Sequence, residues 1–280
     1  MRRMIFMALA ACLMCGCEYT EEIGENVQRV KRVTFNVSNE GNEGWSVTRA
    51  LEADGVGMTD LWLFDYVDGE LVRTLHQSGT DADFGEPVLQ MGYGIHTVYF
   101  VASRGKSPSV DGTQVTWGQP SDTFWKSVEV TVGDGSRRSV AVTLGRVATK
   151  LRVLINDAIP DGAATLVMKP ASWWYGLDYL TGAAVSENDA ERSVAIPNTS
   201  VGTEGLGVSF FGLSDDEEWM TDLTVSVKDS DGDVLGTVSL ADVPFEQNRV
   251  TTVSGSLFSA GGTFSVILND TWKEGVDYEW

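Results

Sequence analysis

Residues 60–75 read Asp60-Leu61-Trp62-Leu63-Phe64-Asp65-Tyr66-Val67-Asp68-Gly69-Glu70-Leu71-Val72-Arg73-Thr74-Leu75. Two runs rich in strand-forming residues flank Asp68-Gly69, and an Asp-Gly pair supplies the positive φ angles that close a tight antiparallel hairpin. The same unit returns at Leu223–Lys228, the turn Asp231-Gly232, and Val234–Val238. Outward from the first hairpin, Val30–Ser38 (VKRVTFNVS) carries Val33, Phe35 and Val37 on one face of a strand. Alternation predicts further strands at His96–Ala102, Ser127–Val132, Ser139–Leu144 and Lys150–Ile155, the last followed by a Pro160-Asp161-Gly162 turn. Long helical periodicity is absent, so the chain reads as all-β, with antiparallel sheets that bury one face. Two copies of the hairpin suggest two similar β-sandwiches, residues 30–145 and 146–280, abutting near Gly145 without a Pro-rich or Ser-rich linker. Gln77–Pro87, Arg104–Phe124 and Ala183–Thr203 read as long glycine-containing loops, and residues 39–58 fit no strand.

Composition narrows the class. The 280 residues hold 20 Lys+Arg against 40 Asp+Glu, a formal charge of −20, while 42% are hydrophobic, enough for packed cores. So acidic a surface repels phosphate backbones and anionic headgroups, which excludes nucleic acid and polybasic membrane contact. All three cysteines fall in the first 17 residues, at Cys12, Cys15 and Cys17, so no disulfide is expected in the body of the chain. Arg2 and Arg3, then the apolar stretch Met4–Met14, then Cys15-Gly16-Cys17 follow the order of a secretory signal, and the stretch is too short to span a bilayer core of ~30 Å. Met14-Cys15-Gly16-Cys17 resembles a bacterial lipobox, with Cys17 as the acylated residue; Cys15, preceded by Met14, fits less well. Residues 1–16 are therefore expected to be a lipoprotein signal peptide and residues 17–29 an acidic tether. Glu18-Tyr19-Thr20-Glu21-Glu22 resembles the surface-export signal of Bacteroidales lipoproteins.

Residues for catalysis are scarce. Beyond the cysteines the chain has two histidines, His76 and His96, and His96 lies in the apolar run HTVYFVA, where a packed strand residue is the simpler reading. No nucleophile elbow, HExxH, P-loop or dinucleotide fingerprint occurs, so neither enzyme activity nor a cofactor is expected. Two carboxylates sharing a cleft would be the exception, since such proximity is invisible in sequence. Asp229-Ser230-Asp231-Gly232-Asp233 has the opening of a calcium loop but continues as strand, so no metal is assigned. Trp173, Trp174 and Tyr175 form a candidate glycan contact, because exposed aromatic rings stack on the apolar faces of sugars, although sandwich cores use tryptophan as well.

Thr48-Arg49-Ala50-Leu51 followed by DLWLFDYVDGELV, then VTLGRVATKLRVLI at 142–155, then Asn248–Phe258, combine with the lipobox into a pattern that resembles the Bacteroidales fimbrillins, subunits of type V pili, over roughly residues 30–272. The resemblance implies two transthyretin-like β-sandwich domains and a lipoprotein precursor acylated on Cys17 (a palmitate-type anchor). It also implies a place at the outer-membrane surface in a fimbrium, with other pilin subunits as partners and a host or bacterial surface ligand for adhesion. Assembly in that family exchanges strands after a protease removes the first one. Here the withdrawn strand would carry Val33, Phe35 and Val37, and the matching cleavage position is Arg49, before Ala50. The donor would come from Thr263–Asn269, a segment that reads equally well as the closing strand of the second sandwich. The alternative is a surface lipoprotein that binds glycans through Trp173, Trp174 and Tyr175.

Overall fold

A computed structural model describes residues 29–40, 57–105, 107–189, 191–214, 216–259 and 262–269. Among these, regular structure is almost wholly β-strand, with a 3-10 turn at Asn198–Ser200. In the first half run β1 (Val30–Asn39), β2 (Met58–Val67), β3 (Glu70–Ser78), β4 (Val88–Gly92), β5 (Gly94–Arg104), β6 (Ser109–Asp111), β7 (Gln114–Thr116), β8 (Thr123–Val132) and β9 (Ser139–Arg146). The second half holds β10 (Thr149–Ile155), β11 (Ala163–Pro170), β12 (Trp173–Asp178), β13 (Ala184–Asn188), β14 (Arg192–Ala195), β15 (Leu206–Gly212), β16 (Glu218–Asp229), β17 (Val234–Glu246), β18 (Val250–Gly255) and β19 (Phe264–Asn269).

The hairpin β2–β3 forms as its sequence predicts. Leu63 lies opposite Leu75, and Asp68 (φ 51°) and Gly69 (φ 82°) both take the left-handed conformation of the tight turn. Its neighbours reveal a topology used twice. The first half orders its strands β3-β2-β5-β8-β9-β1-β4, with β8 and β9 paired at only two positions; the second orders them β14-β11-β16-β17 and β15-β10-β18-β19. Leaving aside the hairpins β6–β7 and β12–β13 and the final strand β19, each half has seven strands, of which the first runs parallel to the seventh and antiparallel to the fourth: β1 with β9 and β4, β10 with β18 and β15. Each half closes over its own apolar core. One holds Val33, Phe35, Leu63, Phe100 and Leu144, and the other Leu151, Val153, Val225, Phe245 and Val253.

The strand order repeats between the halves, yet the two Asp-Gly hairpins do not occupy matching places in it. By strand order β2–β3 corresponds to β11 and β14, whereas β16–β17 corresponds to β5 and β8. An Asp-Gly turn is local chemistry that suits any adjacent antiparallel pair. The expected loops also need correction. Arg104–Phe124 contains β6 and β7, and Ala183–Thr203 contains β13 and β14. The two short hairpins β6–β7 and β12–β13 are insertions at different points of the repeat, and they pair with each other as the sheet β13-β12-β7-β6.

That sheet covers the outer face of β2. Leu61 and Leu63 enter the first core, while Phe64 enters a third apolar cluster with Val115, Trp117, Leu177 and Tyr179, so β2 is buried on both sides. The Tyr179 ring stacks on Phe64 with centroids 3.6 Å apart. Its hydroxyl donates to the Gly112 carbonyl (3.2 Å) and meets the Tyr66 hydroxyl at 3.0 Å, and Trp125 Nε1 donates to its carbonyl (2.9 Å). Burial first, then the Tyr66 hydroxyl, raises the Tyr179 hydroxyl pKa well above its ordinary value. At Gly182 (φ 77°) an added Cβ would lie 2.9 Å from the Trp125 ring, so this close approach needs glycine.

Beside the seam, buried Arg146 at the end of β9 grips buried Asp122 in a fork, Nε to Oδ1 at 2.8 Å and Nη2 to Oδ2 at 3.2 Å, and donates through Nη1 to Asn248 of the second half at 3.0 Å. Arg104 Nε stands 3.5 Å from the same carboxylate. Deleting the shared anion removes the buried carboxylate that both guanidinium groups face. Asp122→Ala is expected to lower unfolding stability by ~3–5 kcal/mol in chemical denaturation, and a loss under ~1 kcal/mol would show that the pair is not desolvated as described.

Candidate functional site

The first strand is a wall of the first core. Val33, Phe35 and Val37 point inward and are buried, with Phe35 edge-to-face on Phe100 at 5.4 Å. Its backbone alternates between two neighbours. Phe35 N–H bonds the Pro87 carbonyl (2.9 Å) and Val37 N–H the Gly85 carbonyl (2.8 Å), while Thr34 N–H bonds the Arg138 carbonyl (2.8 Å) toward β9. Lys31 Nζ donates to the carbonyls of Gly133 (3.0 Å) and Ser136 (2.6 Å), and on the outer face Asn36 Nδ2 donates to Ser139 Oγ (2.6 Å). Neither neighbour can replace β1, because β4 and β9 do not touch as strands. Withdrawing β1 would therefore expose Leu89, Met91, Val142 and Leu144 along a slot lined by two unpaired backbone edges. At roughly 1.5–3 kcal/mol for each large side chain uncovered, such a slot is too costly to stay empty.

Of the other residues singled out in sequence, Cys17, Arg49 and Ala50 lie outside the described residues. Trp173, Trp174 and Tyr175 do not form one exposed platform. Trp173 is 0% exposed, packs at right angles on Phe245 (5.2 Å) and donates Nε1 to the Phe211 carbonyl (3.0 Å), so its ring is closed to a sugar. Strand alternation puts Tyr175 on that same inner side, where the Arg192 guanidinium lies 4.0 Å over its ring, and sends half-buried Trp174 to the other side. Burial, the main cause, lowers the Arg192 pKa to about 10 and raises that of Tyr175.

His96 is buried between the Asp65 carboxylate (2.7 Å) and the Gly92 carbonyl (2.9 Å), and His76 bonds Asp60 (2.8 Å) beneath the stacked Trp62 ring. Both rings are thus engaged by internal partners. Asp229 Oδ1 accepts from the N–H groups of Asp231 (3.0 Å) and Asp233 (2.9 Å), which makes the calcium-like run a self-capped turn. Among the described residues no group of three or more His, Cys, Asp or Glu side chains could hold a metal ion.

The donor candidate is a strand, β19, antiparallel to β18 with Val253 opposite Val266. It is loosely held, since Val266 and Ile267 remain 36% and 53% exposed. The loop that leads to it is fastened by Asp157, which accepts from the N–H groups of Leu257 (2.9 Å), Phe258 (2.7 Å) and Ser259 (3.0 Å). Burial pushes this carboxyl upward, but those N–H bonds outweigh it and its pKa is lowered. A carboxyl lowered by folding contributes stability above its unfolded value of about 3.9 and loses it as the pH falls through the lower folded value. Amide exchange at Leu257–Ser259, corrected for intrinsic rates, is expected to stay flat from neutral pH to about 4 and then rise. Asp157→Ala should show the raised exchange at neutral pH, and equal exchange in both chains would remove the fastening role.

The comparisons with known proteins agree with this architecture. Solved structures with related folds include a polysaccharide-binding candidate from Bacteroides thetaiotaomicron (10% identity, TM-score 0.54, covering 80% of this chain and 91% of that one). An adhesin candidate from Bacteroides ovatus (13%, 0.51, 75% and 82%) and a cell-adhesion candidate from Bacteroides uniformis (15%, 0.50, 85% and 97%) are similar too. At these identities the likeness is one of fold. No curated protein matches the chain. A family model matches residues 111–279, more than half of the sequence, and the chain belongs to that family, DUF6562, described as a family of unknown function.

Proposed function

We propose that this chain is a non-enzymatic subunit of a cell-surface fimbrium or adhesin, exported as a lipoprotein on Cys17 and assembled by β-strand exchange. The observation that carries the proposal is the position of β1. It is the first strand in the described sequence, it lines the first core, and its neighbours β4 and β9 meet only through it. Arg49 lies in sequence between β1 and β2, so a cut between Arg49 and Ala50 severs β1 from everything that follows. Once cut, β1 is held by hydrogen bonds and burial alone, and an extended segment of a neighbouring subunit can replace it by β-augmentation.

The two halves act as transthyretin-like sandwich domains meeting at residues 145–146, a reading supported by their separate cores and repeated topology. The adhesin and cell-adhesion descriptions of the similar structures support a place at the bacterial surface. The lipobox and the acidic residues after Cys17 support the outer membrane as that surface. Other subunits and a surface ligand are then the partners, the lipid is the anchor, and no cofactor takes part. The intact mass of the protein recovered from cells tests the reading. A chain beginning at Ala50 is the expected result for an assembled subunit, and an acylated chain beginning at Cys17 is expected for its precursor. Assembled fimbriae containing only chains that keep residues 18–49 would overturn strand removal.

A further inference from the structure

The two copies of the seven-strand topology differ at one edge. In the second copy the side of β18 that faces away from β10 is covered by β19, from Val250 opposite Asn269 to Gly255 opposite Phe264. In the first copy β9 takes the place of β18, but among the described residues its side facing away from β1 pairs only at Gly145 and Arg146, with Trp125 and Phe124 of β8. The register identifies the free groups. Because Thr34 N–H bonds the Arg138 carbonyl, even-numbered residues of β9 turn their backbone groups to β1, and Ser139, Ala141 and Thr143 turn theirs to the open side.

This edge lacks the usual protection. Residues 139–144 read Ser-Val-Ala-Val-Thr-Leu, without a charge or a proline, the devices that stop unwanted pairing at sheet edges. The other end of the same sheet is blunted, since Arg73 Nη1 donates to the Gln90 carbonyl of β4 at 2.7 Å. On the inner side of the open edge Val140 and Val128 are only partly buried against the core. Exposed Arg137 and Arg138 stand at its beginning. A strand added antiparallel, as β19 is to β18, would bring the residues that follow it to those arginines. In this chain they include Asp270, Glu274, Asp277 and Glu279 against the single cation Lys273.

We infer that the β9 edge is a docking surface for the β19 segment of a second copy of this chain, with the acidic residues 270–280 lying toward Arg137 and Arg138. The inference rests on the strand-exchange reading above but adds a second contact that does not require removal of β1. The contact is head-to-tail, the kind that propagates into an open fibre. Its cost is modest because β19 leaves one edge to join another, and few of its side chains are buried where it starts.

A labelled peptide of residues 262–280, titrated into the chain with β1 in place, tests this contact. Saturable binding is expected. Ala141→Pro should weaken it at least about tenfold, since proline removes an N–H that faces the open side and leaves the ladder to β1 intact. Should that variant fold poorly, the unaltered chain should show the same loss with a peptide N-methylated at Ser265 and Ile267. Absence of binding, or binding that survives both changes, overturns the β9 contact; survival of Ala141→Pro alone would mean the peptide had displaced the chain's own β19. Binding confined to a chain that starts at Ala50, and indifferent to Ala141→Pro, would overturn this contact while leaving the β1 exchange standing. Binding by a chain never cut at Arg49, and lost with Ala141→Pro, supports this contact independently of the β1 exchange.

Discussion

Everything in the first half depends on β1 being inserted between two strands that cannot reach each other. Its pairing with β9 is parallel and spans nearly the whole half in sequence, so it is a contact of high loop-closure cost that closes the layer formed by β9, β1 and β4. The second half solves the same problem with β10, yet the two strands differ in how they are tied. β10 begins at Thr149, directly after β9 ends at Arg146, and runs on toward β11, so it is held covalently at both ends within the fold. The two strands therefore differ in their connections: β10 is joined directly to strands of the fold on both sides, whereas β1 is joined to β2 through the long segment 40–57.

The halves are joined by residues that the repeat does not need. Two inserted hairpins pair with each other and lay Tyr179 on Phe64, using the outward face of the same β2 whose inward face builds the first core. Packing of this kind, with ring stacking, three hydrogen bonds around Tyr179 and the Arg146–Asp122 fork beside it, couples the halves more firmly than a polar linker would.

Strands with their own local signals were legible in the sequence. β1 alternates cleanly, β2–β3 carries its Asp-Gly turn, and the apolar run of β10 follows the expected boundary. Where the signal is tertiary, the sequence misleads or is silent. β6 and β7 are three residues each, too short for alternation to register, and they are strands because β12 supplies a partner. Trp173-Trp174-Tyr175 looks like a platform until strand alternation turns Trp173 into the second core and Trp174 away from it. The open edge of β9 was equally hidden, because an unprotected edge has meaning only once its neighbours are known. The segments carrying Cys17 and Arg49 remain readable through their motifs alone.

The central claim is that β1 is a separable part of the first core. It is tested most directly by complementation, with residues 50–280 produced alone and then mixed with a peptide of residues 29–40. The account predicts that the truncated chain unfolds in two separate steps or loses the native near-ultraviolet signal of its first half, and that the peptide restores a single cooperative transition with saturable binding. A truncated chain that unfolds cooperatively with full stability and ignores the peptide would contradict it.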